Sequence, residues 1–256
     1  MRVVYFIASG EKYFNEAVQS SRSIRRTNPD LSIAIATDIR SSCEAFDIVK
    51  KIKSTGNGYM DKIRWMSESP FDRTVFLDTD TLVVGDLKPL YEALDRFDLV
   101  LCHAPFREIY SLPGIPISFP EMNTGMMAFN STPEITGLFS EWYRLQQSSI
   151  LSDDPRDQPY LRKVLYESSV RFLVTIEEFN CRFRMGYAQT RVVVLHDRHP
   201  QISQVERAIN RSCQTKRIFR ITPKGLDVLY PIGKETYWLG IIRAFKQLFK
   251  ALINRI

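Results

Sequence analysis

Short apolar runs alternate with longer amphipathic stretches from the first residues of the chain, and this alternation restricts the available folds more than any other feature. The run Val3–Ala8 is almost entirely apolar and ends at Ser9, as expected for a strand buried on both faces of a sheet. An amphipathic helical pattern follows over Glu11–Thr27 and stops at Asn28. Strands that alternate with helices are joined by crossover connections, so the pattern predicts an α/β fold with a mostly parallel, doubly wound sheet.

The same alternation continues along most of the chain. Further strands are predicted at Ser32–Thr37, Ile48–Ile52, Thr74–Leu77, Leu82–Val84, Asp98–Cys102, Gly125–Phe129 and Arg191–Leu195. Further helices are predicted at Tyr59–Ser69, Leu87–Leu94, Pro133–Gln147 and Gln158–Tyr166, with a proline-rich loop at Pro105–Pro120. In such a sheet the ligand binds beyond the carboxyl ends of the strands, so the functional residues are expected at those ends.

The length and the cysteine pattern narrow the class of protein further. The chain has 256 residues, which is enough for one α/β domain with a sizeable core. Its four cysteines are scattered without a CxxC pair, which favours free thiols in a reducing compartment. The N-terminal apolar run is too short for a signal peptide, and no segment approaches the ~18 apolar residues that span a membrane. We therefore expect a cytoplasmic protein.

Positive charge is concentrated in the last part of the chain. Residues 215–256 carry nine Lys/Arg and two acidic residues, whereas the net charge of the whole chain is +6. Nucleic-acid-binding proteins usually spread basic charge over the folded body, so we expect no nucleic-acid partner. We predict a main domain at 1–214 and a basic tail at 215–256. Within the tail, helical spacing over 236–256 favours an amphipathic helix docked on an anionic membrane surface, and packing of this helix on the protein's own body is the alternative.

Two carboxylates, Asp78 and Asp80, directly follow the predicted strand Thr74–Leu77. Side chains two residues apart on an extended segment point the same way, so both can bind one hard cation, Mn²⁺ or Mg²⁺. Such an ion can bridge two phosphates and neutralise a departing diphosphate, and Lys62 on the preceding helix is a candidate cationic partner. Aspartates at strand ends also cap helices or form salt bridges, and a helical lysine is usually solvated. By themselves, these residues leave both interpretations open.

An ordered series of motifs resembles glycosyltransferase family 8, which includes glycogenin and the bacterial lipooligosaccharide galactosyltransferases. The series comprises Ala8 and Tyr13 in ASGEKY, Lys62 sixteen residues before Asp78, the triplet Asp78-Thr79-Asp80, Asn123-Thr124-Gly125, Asp157-Gln158, Asn180, and His196 after a Val-Val-Val-Leu run. The resemblance extends through most of the chain. It implies the GT-A fold of nucleotide-diphospho-sugar transferases, and the ordered series is more specific than the aspartate triplet alone.

The resemblance also implies a role for each matching residue. The metal ligands would be Asp78, Asp80 and His196. The donor-binding set would be Ala8, Tyr13, Lys62, Asp78, Thr79, Asn123 and Gly125. In this set, Tyr13 would stack on the nucleobase near Ala8, and Lys62 would contact donor phosphate or sugar. Asn123 would hydrogen-bond sugar hydroxyls. The catalytic pair would be Asp157, on the sugar hydroxyls, and Gln158, beside the anomeric carbon.

The activity implied by the resemblance is metal-dependent transfer of a hexose from a nucleotide-diphosphate sugar, with uridine as the family's nucleoside, to a glycan or lipid-linked acceptor. The family retains the anomeric configuration, with the departing diphosphate helping to deprotonate the acceptor. This sequence departs from the family after His196, where Asp-Arg-His-Pro replaces the family's glycine and lysine. Arg198 is therefore a candidate substitute cation for the diphosphate, and His199 is an alternative metal ligand.

Other classes of function also fit parts of the sequence. The string Leu77–Leu82 matches the first motif of haloacid-dehalogenase-like phosphatases, in which Asp78 would be the nucleophile and Asp80 the acid/base. A non-catalytic nucleotide-sugar-binding module with the same fold is a second alternative. Nucleotidyl transfer is a third, although no glycine-rich phosphate loop follows the first strand.

Overall fold

The computed structural model describes residues 1–40, 43–104, 112–148, 156–182, 187–188, 190–198, 202–210, 217–222 and 225–229. The helices are α1 Glu11–Thr27, α2 Gly58–Ser67, α3 Lys88–Ala93, α4 Pro133–Ser148, α5 Gln158–Glu167 and α6 Ile202–Ile209. The first seven strands are β1 Arg2–Ala8, β2 Ser32–Thr37, β3 Ile48–Lys51, β4 Arg73–Leu77, β5 Thr81–Val83, β6 Leu99–His103 and β7 Met122–Asn130. They are followed by β8 Phe172–Val174, a 3₁₀ helix Glu177–Asn180, β9 Cys181–Arg182, β10 Tyr187–Ala188, β11 Val194–His196, β12 Arg217–Thr222 and β13 Gly225–Leu229.

Seven strands form the central sheet, in the order β3-β2-β1-β4-β7-β6-β8. Six of them are parallel, and β7 alone runs antiparallel between β4 and β6. The mostly parallel α/β sheet predicted from the sequence is therefore confirmed. Strand β7 is the antiparallel neighbour of β6, the strand before it in the chain, and such a pair needs no helical crossover.

Local sequence signals set the N-terminal ends of helices α1 and α2. Helix α1 begins after Gly10, whose φ of 89° lies in the region that favours glycine. Helix α2 begins after Asn57, whose side chain accepts hydrogen bonds from the backbone N–H groups of Tyr59 and Met60. Both helix starts lie near the carboxyl ends of parallel strands, which places their first turns beside the same edge of the sheet.

The core lies on both faces of the central sheet. One face packs against α1 and α3, with Phe6, Ile24, Leu77 and Tyr91 fully or almost fully buried. The other face packs against α2, α4 and α5 around Trp142, which is completely buried. Two covered faces explain why the central strands read as continuous apolar runs in the sequence.

A small second sheet brings a distant part of the chain to the end of β4. Its strands are ordered β5-β11-β9, and β11 runs antiparallel to β5. The register pairs His196 with Thr81, and the backbone N–H of Asp197 donates to the carbonyl of Asp80 at 3.2 Å. These contacts place the end of β11 beside the residues that follow β4.

The sequence patterns missed several of the shorter elements. Strands β8, β9 and β10 have three residues or fewer, which is too short for a two-residue periodicity to be recognised. Strands β12 and β13 form an antiparallel hairpin within the segment predicted as the basic tail, and β12 also pairs with β10. The boundary at residue 214 stays a prediction, and the predicted amphipathic helix at 236–256 lies outside the described residues. Within the described part of the chain, no helix combines the length and apolarity that crossing a membrane requires.

Candidate active site

A cleft of about 520 Å³ opens at the carboxyl ends of β1 and β4. The predicted site residues that line it are Tyr13, Lys62, Asp78, Thr79, Asp80, Asn123, Asp157, Gln158 and His196. Ala8 and Gly125 are the two members of the predicted set that do not line this cleft. Ala8 is buried at the end of β1, and Gly125 packs behind the His196 ring. Residues separated by up to 183 positions in the sequence thus meet at one edge of the sheet.

Asp78, Asp80 and His196 form a cluster in this cleft whose ligand atoms all lie within 4.8 Å of one another. The Nε2 atom of His196 lies 3.5 Å from Oδ1 of Asp80 and 3.8 Å from Oδ2 of Asp78. Two carboxylates and one imidazole are a donor set that suits a divalent transition metal or Mg²⁺. The cluster therefore fits a bound Mn²⁺ or Mg²⁺. The alternative ligand His199 lies outside the described residues.

The orientation of the His196 ring is set by its neighbours. Its Nδ1 lies 2.8 Å from Oδ1 of Asn180, whose amide nitrogen donates to Oδ1 of Asn123 at 2.7 Å. Because the Asn180 oxygen accepts, Nδ1 carries the proton and Nε2 faces Asp78 and Asp80. When Nε2 is also protonated it donates to these carboxylates, and when it is not it can bind a metal ion. A metal-binding histidine is usually held through its other nitrogen in this way.

The Asn180 contact leads to a prediction about metal affinity. Asn180→Leu removes the acceptor for Nδ1, so the His196 ring loses its fixed orientation, and we expect Mn²⁺ affinity to fall by about 10–100-fold. Calorimetric titration with Mn²⁺ measures this change. Asn180→Asp keeps an acceptor oxygen for Nδ1 but loses the donor to Asn123, so we expect its loss of affinity to be the smaller of the two. An equal loss in the two variants would contradict the role assigned to this hydrogen bond.

Charge in the cleft also favours a divalent cation. Burial raises the pKa of Asp78, helped by the nearby carboxylates of Asp80 and Asp157 and opposed by Lys62 and His196. Burial acts in the same direction on Asp80, but hydrogen bonding and charge from His196, together with the charge of Arg198, hold the pKa of Asp80 below its ordinary value. Three crowded carboxylates thus repel one another, and a divalent ion relieves that repulsion.

Arg198 links the candidate metal centre to helix α1. Its guanidinium lies 3.2 Å from Oδ2 of Asp80 and 5.5 Å from the ring centre of Tyr13. It also forms a bidentate pair with Glu16, at 2.7 and 2.9 Å, and Glu16 accepts a hydrogen bond from Thr79 at 2.8 Å. A cation is therefore present between Tyr13 and the Asp78–Asp80 pair, as expected if Arg198 substitutes for the lysine of the family pattern.

Lys62 is buried against the side of the cluster. Its Nζ lies 2.9 Å from Oδ2 of Asp157, 2.9 Å from Oγ1 of Thr124 and 3.3 Å from Oδ1 of Asp78. Thr124 in turn donates to the same oxygen of Asp157 at 2.9 Å. The alternative interpretation, in which Lys62 lies on a solvated face of its helix, is wrong, since this residue is only 7% exposed.

Three residues near the cleft were not recognised from the sequence. Glu16 accepts hydrogen bonds from Arg198 and Thr79. Thr124 lies inside the Asn-Thr-Gly motif, but no role was predicted for it. Asp61 accepts hydrogen bonds from Ser9, Ser54 and the backbone N–H of Thr55, and these bonds hold its pKa below the ordinary value despite burial. No local pattern marks Glu16, whose partners Thr79 and Arg198 come from distant segments, and Asp61 likewise takes one of its partners, Ser9, from a distant segment.

Solved structures share this architecture. The galactosyltransferase LgtC, in complex with donor and acceptor sugar analogs, matches with a TM-score of 0.57 and 16% identity over 78% of this chain and 88% of that chain. The glycosyltransferase GlyE of Streptococcus pneumoniae TIGR4 matches with a TM-score of 0.56 and 16% identity over 78% of this chain and 55% of that chain. Mouse xyloside xylosyltransferase 1 matches with a TM-score of 0.55 and 12% identity over 77% of this chain and 98% of that chain. The chain therefore has the GT-A fold of these transferases.

No protein-family model matches the sequence, and no curated protein matches it either. At 12–16% identity the solved structures establish the fold alone. Membership of glycosyltransferase family 8 stays a prediction. Proteins of one fold often have different functions, so the function of this chain has to be inferred from the residues of the cleft.

Proposed function

We propose that this protein is a metal-dependent glycosyltransferase that moves a hexose from a nucleotide-diphosphate sugar, a UDP-sugar in the first instance, to a glycan or lipid-linked acceptor. The observation that carries this proposal is the cluster of Asp78, Asp80 and His196 in a cleft at the carboxyl ends of the strands of a GT-A sheet. LgtC, which shares the fold, is described in complex with donor and acceptor sugar analogs. The same two classes of ligand are proposed here.

The donor diphosphate is proposed to lie between Tyr13 and the metal ligands. Asp78, Asp80 and His196 would hold Mn²⁺ or Mg²⁺, which when bound supplies positive charge to a departing diphosphate. Arg198 lies beside Asp80 and Tyr13, and its guanidinium, which pairs with Glu16 and Asp80 but is 47% exposed, would face the diphosphate from the protein side. The exposed ring of Tyr13, with 40% of its surface accessible, would stack on the nucleobase.

The hexose is proposed to lie against Asn123, Asp157 and Gln158 on the other side of the metal ligands. These three side chains line the cleft together and would hydrogen-bond the sugar and hold its anomeric carbon in place. His103 is exposed at the end of β6 and does not line this cleft. As the family resemblance implies, the departing diphosphate is proposed to accept the acceptor's proton, with retention of anomeric configuration.

The acceptor side of the proposal rests on the charge of the tail. A lipid-linked acceptor would be presented at a membrane, and the basic residues of 215–256 suit attachment to the anionic cytoplasmic face. Peripheral attachment through residues 236–256 belongs to the same proposal.

A panel of UDP- and GDP-sugars, assayed with Mn²⁺, with Mg²⁺ and with EDTA, tests the proposed activity. We expect one donor to be turned over, slowly to water and faster with an oligosaccharide acceptor, and EDTA to abolish the reaction. An aryl phosphate monoester included in the panel should remain intact. Its hydrolysis would favour the phosphatase, and donor binding without turnover under any condition would favour a non-catalytic binding module.

A further inference from the structure

The ammonium group of Lys62 is saturated by side chains of the protein. It lies within 3.3 Å of three oxygen atoms, which belong to Asp157, Thr124 and Asp78. A lysine ammonium has three N–H groups, so each can be assigned to one of these acceptors. The side chain is 9% exposed, which leaves little room for a fourth partner. The group is therefore poorly placed to take a donor phosphate as an additional ligand.

The positive charge of Lys62 is paired with two carboxylates of the protein. Its ammonium lies 2.9 Å from a carboxylate oxygen of Asp157 and 3.3 Å from one of Asp78. Two carboxylates face this single cation, so its field in the cleft is largely cancelled. A phosphate at a distance would gain little attraction from it, because the positive charge is already paired.

Asp157 depends on Lys62 for its position. Its Oδ2 accepts from both Lys62 and Thr124, and its backbone carbonyl accepts from the indole N–H of Trp142 at 2.9 Å. With 2% exposure, Asp157 is a buried carboxylate, and among the described residues Lys62 is its one basic neighbour at hydrogen-bond distance. Loss of that neighbour would leave a buried charge without compensation, which favours reorientation of the carboxyl group.

We infer that Lys62 is a positioning residue that ties Asp157, on the sugar side of the cleft, to the metal ligand Asp78, and that it is not a ligand of the donor phosphate. This inference rests on the proposed function and differs from the role that the family resemblance implies for Lys62. It predicts that removal of the ammonium impairs the reaction of the sugar more than the binding of the nucleotide. It also predicts that the effect passes through Asp157.

Lys62→Met is the informative substitution, because it keeps an unbranched side chain against Phe76 and removes only the charged group. With Mn²⁺ at saturation, we expect the Kd for UDP to stay within about twofold of wild type, while kcat for the sugar donor falls on the order of 100-fold. Lys88→Met is the matched control, since Lys88 pairs with Glu92 on the exposed surface. It should change neither value. A rise of tenfold or more in the Kd for UDP in Lys62→Met would overturn the inference and assign Lys62 to the phosphate.

A second measurement tests the coupling to Asp157 without any donor. We expect Lys62→Met to lower the Tm by several degrees, and Asp157→Asn in the same chain to restore much of that loss, because the uncompensated buried charge is then removed. Additive losses in the double variant would contradict a direct link between the two residues. Because this cycle needs no substrate, it judges the positioning role separately from the proposed activity, which fails if wild type binds no UDP and turns over no donor.

Discussion

Asp80→Ala is expected to abolish metal-dependent sugar transfer, with a fall in kcat/KM on the order of 1000-fold, equivalent to about 4 kcal/mol of transition-state stabilisation. Asp80 supplies one of the three donor groups of the cluster and lies 3.5 Å from Nε2 of His196. Its removal leaves only one carboxylate and the imidazole, so we expect Mn²⁺ binding to weaken beyond calorimetric detection. The fold should persist, because Asp80 belongs to no apolar cluster and the loss of its contacts with His196 and Arg198 is partly offset by weaker repulsion at Asp78.

Asp30→Ala is the matched control for this substitution, since Asp30 is an exposed residue between α1 and β2. Its initial rates and Mn²⁺ affinity should equal those of wild type. Thermal unfolding of both variants would show that any loss of activity is not a loss of structure. If Asp80→Ala transferred sugar at the wild-type rate, or if EDTA had no effect on wild type, the proposed metal centre would have to be abandoned.

Gly125→Ala is expected to disrupt the candidate metal centre by displacing the His196 ring, although position 125 does not line the cleft. A Cβ at this position would lie 2.0 Å from Cε1 and 2.7 Å from Nδ1 of His196, distances that no pair of non-bonded atoms tolerates. The strand cannot easily move, because the Gly125 carbonyl accepts from the Asp78 backbone N–H at 2.8 Å and its own N–H donates to Asn123 at 2.9 Å. The imidazole must therefore move away from position 125, which displaces Nε2 from its place beside Asp78 and Asp80.

For Gly125→Ala we expect Mn²⁺ affinity to fall at least about 100-fold and the free energy of unfolding to fall by about 1–3 kcal/mol, as for other overpacked interiors. Gly137→Ala is the control, because Gly137 lies in helix α4 and a Cβ there would meet nothing within 4 Å. That change should be neutral or slightly stabilising.

A double variant separates the clash from other effects of the new methyl group. Combining Gly125→Ala with His196→Ala removes the ring that the methyl group displaces, so stability should recover while Mn²⁺ binding remains lost. Chemical denaturation and calorimetry provide the two readouts. If the double variant were as unstable as the sum of the two single variants, the close approach of Gly125 to His196 would not be the cause.

Arg198 shows where the sequence pattern and the structure complement each other. The departure from the family pattern after His196 singled out this residue as a candidate cation, and the structure places its guanidinium between Tyr13 and Asp80. The structure also adds Glu16, which no motif marks and which holds Arg198 through two hydrogen bonds. A motif can thus identify a charged residue, whereas the partner that orients it becomes visible only in the folded chain.

Local sequence determined the elements and the chemistry of one segment. Apolar runs and helical periodicity act over a few residues, so they were sufficient to predict the helices α1, α4 and α5, the strands β1, β2 and β4, and the position of Asp78 and Asp80 at the end of β4. The parallel α/β class followed from the order of these elements, because alternating strands and helices have few ways to cover both faces of a sheet.

Tertiary structure alone decided how the remaining side chains meet this segment. The pairing of β11 with β5 brings His196 to Asp80, and the packing of α2 and α5 buries Lys62 against Asp157. The antiparallel direction of β7 places Gly125 behind the His196 ring. These arrangements depend on contacts between residues far apart in the chain, whose energies no local pattern records, and they convert a common pair of aspartates into a candidate metal centre.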